Sequence, residues 1–249
     1  MVKGVPIPHW HELQVTPSSL LSLYSRSVLP TQVATNEGVF LLVAIIGTIA
    51  FATSGVLAAA EAGLDWLGAT VLAVVVSIGG GTLRDILIGN FPVTWVRDEW
   101  PVVVALCTVV VGLAVLRLPV HIDPRNQLWY LASDAIGLGA FVVLGTSIAL
   151  ESGTSSFIAV FMGVITGVGG GVIRDLFTGR TPMVFVGQIY AVAGLVGAIV
   201  HVMLRNNGAT DVVQVWVPVL VVVVLRAIAI RFDVHLPRTG RTDQSLNKP

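Results

Sequence analysis

The sequence GGGTLRD at residues 79–85 recurs as GGGVIRD at residues 169–175, and this pair of motifs decides how the chain is organised. Three consecutive glycines are costly in an apolar helix, since each loses about 1 kcal/mol of helix propensity relative to alanine. A glycine run lets a helix break and turn backbone groups toward a water-filled path. Matching glycine-interrupted spans indicate a transport site, so we predict a break at each run. The alternative is that the runs mark close helix crossings or the membrane edge.

The two motifs belong to an internal duplication with an offset of 90 residues. Residues 37–96 align with residues 127–186 without a gap, and 19 of the 60 positions are identical. Most of these matches are glycines and charges, which shared hydrophobicity does not explain, so the chain is a duplication. Within the first span of each copy, Gly47, Phe51 and Gly55 and their counterparts recur at steps of four. This spacing predicts a helix face that packs closely against another helix.

Seven stretches are apolar and long enough to cross a membrane as helices. They cover residues 39–60, 66–83, 101–116, 128–150, 154–173, 183–204 and 212–225, the last bent or locally broken at Pro218. Each repeat holds three spans, and an odd number makes the second copy enter from the opposite side. We therefore predict an N-terminal tail (1–36), two inverted three-helix repeats (37–117 and 127–205), a seventh helix (212–230) and a polar C-terminal tail (231–249), an arrangement written 3+3+1.

The composition favours an all-α polytopic membrane protein. Of 249 residues, 55% are hydrophobic and 11% charged, whereas a soluble domain has roughly 25% charged residues. The net charge is zero, so no cationic face is available for nucleic acid. The single cysteine, Cys107, cannot form an intramolecular disulfide, and the histidines show no metal-ligand or hydrolytic spacing. We expect no metal, no cofactor and no enzymatic activity.

The distribution of Lys and Arg outside the spans predicts the orientation in the membrane. Five lie on the side of the N-terminus and eight on the opposite side, which predicts a cytoplasmic C-terminus.

The charges beside the glycines are candidates for an ion path. Arg84 and Asp85 are neighbours in sequence, and neighbours on a helix do not face each other. We therefore expect Arg84 to approach Asp175 in the other repeat. The mirror-image pair of Arg174 with Asp85 would neutralise the remaining two charges in the membrane.

A further acid stands alone in the fourth span. Asp134 has Ala44 at the equivalent place in the first repeat, and it either attracts cations or accepts hydrogen bonds from a neighbouring helix. The hydroxyls of Ser77 and Thr166 could also line a pore, although such hydroxyls often bond back to their own helix. The predicted path comprises Ser77, Gly79, Gly80, Gly81, Arg84, Asp85, Asp134, Thr166, Gly169, Gly170, Gly171, Arg174 and Asp175.

Two GGGxxRD motifs in a 3+3+1 membrane protein resemble the TRIC family of trimeric intracellular cation channels, in particular its prokaryotic members, which carry the UPF0126 or glycine-transporter domain in duplicate. The likeness covers residues 37–230 and is most specific at 79–92, 169–182 and the DAIGLGAF run at 134–141. It implies a homotrimer in the plasma membrane of a prokaryote, in contact with lipid. Each protomer would hold its own pore for monovalent cations, chiefly potassium.

One departure from the family affects regulation. The animal channels carry a basic–acidic pair in the fourth span that acts in lipid binding or gating, whereas residues 146–149 are uncharged here.

The sequence leaves three functions open. The first is a passive cation channel, and the second is a secondary transporter of glycine or a similar small zwitterion, held by the same broken helices. A non-transporting scaffold is the third, but it explains the duplicated Arg-Asp pair poorly.

Overall fold

The computed structural model describes residues 34–117, 127–186 and 189–232, and within them the chain forms nine α-helices. They are α1 (Ala34–Glu61), α2 (Trp66–Ile88), α3 (Thr94–Arg97), α4 (Trp100–Arg117), α5 (Gln127–Glu151), α6 (Ser156–Phe177), α7 (Met183–Val186), α8 (Tyr190–Asn206) and α9 (Asp211–Arg231). Six are long and apolar enough to cross a membrane, and α8 is a shorter apolar helix. The predicted all-α, multi-pass membrane fold is confirmed. The predicted tails lie outside the described residues, apart from 34–36 and 231–232.

Several predicted span boundaries are wrong. Helix α2 continues to Ile88 and α6 to Phe177, past the Arg-Asp motifs at which the sequence predicts that the spans stop. The adjacent charges neutralise each other, so they do not end the helix. The predicted sixth span divides into α7 and α8, as α3 precedes α4 ninety residues earlier. Helix α9 continues through Pro218, so the predicted local break at this residue is wrong. Proline removes one backbone hydrogen bond and crowds the carbonyl four residues earlier, but the helix continues beyond it.

The two copies share the local signals that start and stop their central helices. The Asp65 carboxylate accepts a hydrogen bond from the N–H three residues later (2.7 Å) and begins α2. Ninety residues on, the Ser155 hydroxyl does the same at the start of α6 (3.4 Å). Gly89 ends α2 with φ of 71°, and Gly179 has φ of 69° at the equivalent place. This left-handed conformation is available to glycine without steric cost.

The glycine runs mark the crossing of α2 and α6, and both helices pass through their runs unbroken. A Cβ atom on Gly80 would overlap the backbone carbonyl oxygen of Thr166. One on Gly170 would lie 2.5 Å from the carbonyl oxygen of Val76, and one on Gly169 would lie 3.1 Å from Cα of Gly80. The predicted break at GGG is therefore wrong. Direct contact between the two helix backbones, which no larger residue permits, offsets the poor helix propensity of glycine.

Equivalent positions of the two repeats contact each other near this crossing. The rings of Phe51 and Phe141 stack with centroids 5.2 Å apart and planes 19° apart. Gly47 packs against Phe141, and its counterpart Gly137 packs against Phe51. The close packing predicted from the step of four is thus confirmed: Gly47 and Gly137 join α1 to α5, whereas Gly55 packs against α2 and Gly145 against α6.

Replacing Gly80 by alanine tests the helix crossing, with Gly81→Ala as the matched control. The new methyl group at Gly80 overlaps the α6 backbone, so we expect a loss of about 1–3 kcal/mol in the free energy of unfolding. At Gly81 the nearest contact of a Cβ is the end of the Arg84 side chain at 3.7 Å. Only the helix-propensity gain of about 1 kcal/mol then applies. Thermal unfolding in detergent measures both, and equal midpoints would contradict direct backbone contact.

Candidate functional site

The second Arg-Asp motif belongs to a fully buried cluster of charges. The Arg174 guanidinium donates to Oδ1 of Asp175 through Nε (3.0 Å) and Nη2 (2.9 Å). Its remaining nitrogen, Nη1, donates to Oδ1 of Asp134 (2.5 Å) and to Oγ of Ser54 (2.6 Å). The Tyr130 ring lies 4.5 Å from the guanidinium carbon, and its hydroxyl donates to Asp175 (3.0 Å). Side chains from α1, α5 and α6 therefore meet at one guanidinium.

Helix α9 adds a second cation to this cluster. Arg226 lies over the ring of Tyr190 at 4.6 Å, with one of its nitrogens 3.8 Å from Oδ2 of Asp134. The Tyr190 hydroxyl donates to Oδ1 of the same aspartate (3.1 Å). The two arginines and two aspartates sum to zero charge. Buried charges require such compensation, because an unpaired ion loses its hydration without replacement.

The first Arg-Asp motif forms a smaller cluster. Arg84 donates to Oδ1 of Asp85 through Nε (3.0 Å) and Nη2 (2.7 Å). Oδ2 of Asp85 accepts hydrogen bonds from the backbone N–H (2.7 Å) and hydroxyl (2.8 Å) of Thr94, the first residue of α3. In the second copy, Oδ2 of Asp175 accepts from the N–H of Met183, the first residue of α7 (3.0 Å). Each aspartate thus fastens a short helix to the end of the long helix before it.

The predicted pairing between repeats is wrong, because each arginine pairs with its own neighbour. An arginine side chain is long enough to fold back over its helix, so two adjacent residues can meet at the guanidinium although their Cβ atoms diverge. Of the two roles open for Asp134, the structure shows the hydrogen-bond acceptor, with Arg174 and Tyr190 as donors.

A cavity of about 130 Å³ adjoins Arg84. Its lining combines polar groups with aromatic rings and includes Thr48, Ser77, Arg84, Asp85, Thr94, Trp95, Trp100 and Phe141. The Ser77 hydroxyl donates to the carbonyl of Ala73 (2.7 Å) and the Thr48 hydroxyl to the carbonyl of Ala44 (2.8 Å). Each hydroxyl has only one proton, so its oxygen lone pairs are left to accept from a solute.

This cavity has the same place in the first repeat that the buried charge cluster has in the second. Besides Arg84 and Asp85, three residues of its lining are counterparts of residues in that cluster. They are Ala44 for Asp134, Leu144 for Ser54 and Trp100 for Tyr190. The two Arg-Asp motifs are therefore alike in sequence but differ in surroundings, since one faces a cavity and the other is enclosed by partners.

The predicted path residues fall into three groups. Lining the cavity are Ser77, Gly81, Arg84 and Asp85. In or against the charge cluster are Asp134, Gly171, Arg174 and Asp175. At the crossing of α2 and α6 are Gly79, Gly80, Thr166, Gly169 and Gly170. The structure does not bring the two triple glycines to one opening.

Sequence reasoning misses four members of the charge cluster, namely Ser54, Tyr130, Tyr190 and Arg226. Arg226 lies one residue beyond the apolar stretch that ends at 225 but inside the predicted seventh helix (212–230), and the sequence prediction gives it no role in a site. The other three have counterparts without a hydroxyl ninety residues away, namely Leu144, Phe40 and Trp100. Comparing the copies for places where a polar residue replaces an apolar one finds Asp134, and the same comparison would have found Ser54.

Comparisons with known proteins agree with the motifs. A family model described as glycine transporter matches residues 41–117 and 131–206. The UPF0126 membrane protein of Vibrio cholerae is 37% identical over 228 residues, which is 91% of this chain and 93% of the relative. The UPF0126 inner membrane protein YadS of Escherichia coli is 41% identical over 195 residues, 78% of this chain and 92% of YadS.

A solved structure also matches. The TRIC trimeric intracellular cation channel orthologue from Rhodobacter sphaeroides is 32% identical with a TM-score of 0.73. The match covers 79% of this chain and 99% of that one. The resemblance inferred from the two GGGxxRD motifs is therefore confirmed.

Replacing Asp134 by asparagine tests the charge balance of the buried cluster. The change leaves Arg174 and Arg226 with one carboxylate fewer, so we expect a loss of about 3–5 kcal/mol in the free energy of unfolding. The control is Glu61→Gln, which removes a pair with Arg180 (2.9 Å) whose side chains are about one-third exposed. Such a pair contributes less than about 1 kcal/mol. Chemical unfolding in detergent compares the two variants. Similar losses of unfolding free energy would show that the stability of the cluster does not depend on its charge balance.

Proposed function

Since this chain belongs to the UPF0126 glycine-transporter family, we propose that it is a passive channel for monovalent cations, chiefly potassium. The observation that carries the proposal is the likeness to a solved TRIC cation channel over nearly the whole length of that channel. By the same likeness the functional unit is a homotrimer with a pore in each protomer. It lies in the plasma membrane of a prokaryote, in contact with lipid.

In this proposal the ion path follows α2 past the cavity beside Arg84. The cavity supports this choice because carboxylate and hydroxyl oxygens, from Asp85, Ser77 and Thr48, stand in its wall, and oxygens are the groups that replace the water around a potassium ion. The Arg174 cluster is closed by its own partners and acts as a fixed wall. The glycines at the crossing hold α2 against α6 and so fix the other wall.

The proposed architecture is 3+3+1, with residues 37–117 and 127–205 as inverted repeats, 212–230 as the seventh helix, 1–36 and 231–249 as tails, and a cytoplasmic C-terminus. Two ion pairs support it. Glu61 at the end of α1 pairs with Arg180 after α6 (2.9 Å), and Glu151 at the end of α5 pairs with Arg205 near the end of α8 (3.6 Å). Helix ends that form an ion pair lie on the same side of a membrane. An inverted repeat requires the ends of α1 and α6 on one side and the ends of α5 and α8 on the other.

Potassium flux from loaded proteoliposomes tests the channel. We expect flux that needs no glycine on either side, because a passive channel has no coupled substrate. Gly81→Leu fills the cavity and should lower the flux by at least about ten-fold, as a constriction in a pore does. Gly38→Leu is the matched control, since a Cβ there meets nothing within 4 Å, and it should conduct like the unmodified chain.

The same vesicles distinguish the competing function. The description of the family model favours a glycine transporter. Saturable glycine uptake without ionic conductance would show that the protein is a secondary transporter and not a channel. If potassium flux through Gly81→Leu is undiminished, the channel proposal stands, but the ion path does not pass through this cavity.

Thiol labelling of intact cells tests the orientation. In a Cys107→Ser background, single cysteines replace Ala62 after α1 and Ser152 after α5, both exposed. With inverted repeats and a cytoplasmic C-terminus, we expect a membrane-impermeant reagent to label Ser152→Cys in intact cells. Ala62→Cys should react only after permeabilisation. Labelling of both positions from the same side would refute the inversion.

A further inference from the structure

An apolar groove of about 630 Å³ runs between α1 and α4, away from both Arg-Asp motifs. Its lining extends from Ile45 to Leu57 on α1 and from Val103 to Leu116 on α4, together with Trp129 of α5. Leu57, Leu116 and Tyr130 pack in one cluster, so Trp129 lies at the end of the groove where α4 ends. Among the described residues no charged side chain lines the groove, so its occupant is an apolar group.

The equivalent place in the second repeat is filled by α9. At the offset of 90 residues α4 corresponds to α8, since α4 begins at Trp100 and α8 at Tyr190. Four residues of the groove therefore have counterparts on α5 and α8: Ile49, Thr53, Cys107 and Val111 correspond to Gly139, Val143, Gly197 and His201.

All four counterparts contact α9. A Cβ atom on Gly139 would lie 3.1 Å from the carbonyl oxygen of Val219, and one on Gly197 would overlap Val222. Val143 packs in one cluster with Val219. Nδ1 of His201 lies 2.7 Å from the carbonyl oxygen of Gln214. The groove between α1 and α4 is thus the copy of a groove that holds a membrane-spanning helix.

The open copy is too narrow for a helix to lie equally close. Ile49 stands in place of Gly139 and Cys107 in place of Gly197, which are the two glycines at which α9 meets its neighbours. Small residues let membrane helices approach, whereas these larger side chains fill the space that a helix of about 10–12 Å diameter needs. The apolar component of a bilayer that is thinner than a helix is a single hydrocarbon chain.

The length of the groove also fits one hydrocarbon chain. The lining of α1 from Ile45 to Leu57 covers about 18 Å at 1.5 Å per residue. One leaflet contributes about half of the 30 Å hydrocarbon thickness of a bilayer, or about 15 Å. A chain that belongs to one leaflet can therefore lie along the whole groove.

The two ends of α4 differ in charge. Arg117 in its last turn and Trp129 at the same end are exposed, and neither has a hydrogen bond or ion pair with another described residue. Asp98 and Glu99, also exposed, precede the helix at the opposite end. Arginine binds phosphate through charge-assisted hydrogen bonds, and tryptophan is enriched where a membrane meets water. An anionic headgroup is therefore attracted to the Arg117 end and repelled from the other.

We propose that the groove between α1 and α4 binds one acyl chain of an anionic phospholipid. The chain takes the place that α9 has in the second repeat, and the phosphate lies at Arg117 and Trp129. The groove is a different surface from the cavity beside Arg84, so the inference does not depend on the proposed cation conduction.

Photolabelling of the delipidated full chain in detergent tests the proposal. The probe is phosphatidylglycerol with a diazirine in one acyl chain, added at about one molecule per chain. Intact mass spectrometry counts the bound lipid, and peptide mapping locates the adducts. We expect saturation at one lipid per chain, with adducts concentrated in residues 45–57 and 103–116.

The variant Cys107→Phe blocks the groove, with Leu106→Phe as the matched control. Both residues are exposed, but only Cys107 lines the groove. Neither new ring enters the protein core, so both variants should unfold at the midpoint of the unmodified chain. Cys107→Phe displaces several methylene groups of the acyl chain, so labelling should fall at least about ten-fold. Labelling of Leu106→Phe should be unchanged.

The headgroup is tested by Arg117→Gln, with Arg231→Gln as the control. Both arginines are exposed and lie in the last turn of a membrane helix. We expect Arg117→Gln to lower the preference for phosphatidylglycerol over phosphatidylcholine about five-fold, the contribution of one basic residue at an anionic lipid surface. Arg231→Gln should keep the preference.

Three results would overturn the proposal. Adducts spread evenly over the exposed faces, or equal labelling of the two phenylalanine variants, would show that lipid does not prefer the groove. If Cys107→Phe instead changes the mass of the native oligomer and leaves lipid labelling unaltered, a second copy of the chain occupies the groove. Lipid binding is measured without an ion gradient, so its absence would leave the proposed channel standing, and a lack of potassium flux would leave the lipid site standing.

Discussion

The constraint on which the structure depends is that a charge buried in an apolar interior must be balanced at once by its neighbours. The Arg174 guanidinium is buried completely and uses all three nitrogens, on Asp175, Asp134 and Ser54. These partners come from α1, α5 and α6, and Arg226 of α9 completes the balance. In a bilayer the hydrophobic effect does little to hold helices together, so such a cluster fixes which helices are neighbours.

Two packing devices act together at the centre of the molecule. The backbones of α2 and α6 touch at glycines, which brings the ends of these helices close to α1 and α5. The Arg-Asp pairs then fasten the short helices α3 and α7 through the backbone N–H groups of Thr94 and Met183. Close packing therefore sets the distance between the helices, and the carboxylates set where each chain segment turns.

The sequence predicts much of the fold but less of the site. The duplication, the all-helical membrane class and the special role of GGGxxRD follow from residue identity and spacing alone. Spacing does not reveal whether a triple glycine breaks a helix or lets another helix backbone come into contact, because the absence of a side chain favours both. It also does not reveal that Arg84 turns back to Asp85, since side-chain conformation depends on what Thr94 offers from outside the helix. Arg226 is invisible to repeat analysis because α9 has no copy.

The stack of Phe51 on Phe141 has a consequence for how such a chain can change. A residue that meets its own counterpart must be self-complementary, as at the centre of a two-fold dimer interface. A substitution there needs a matching one ninety residues away, so these positions are coupled. Asp134 and Ser54 contact Arg174 and not their counterparts Ala44 and Leu144, so the two copies can differ at these positions without a clash. Contact with its own counterpart thus distinguishes a residue that keeps the two halves alike from a residue that lets them differ.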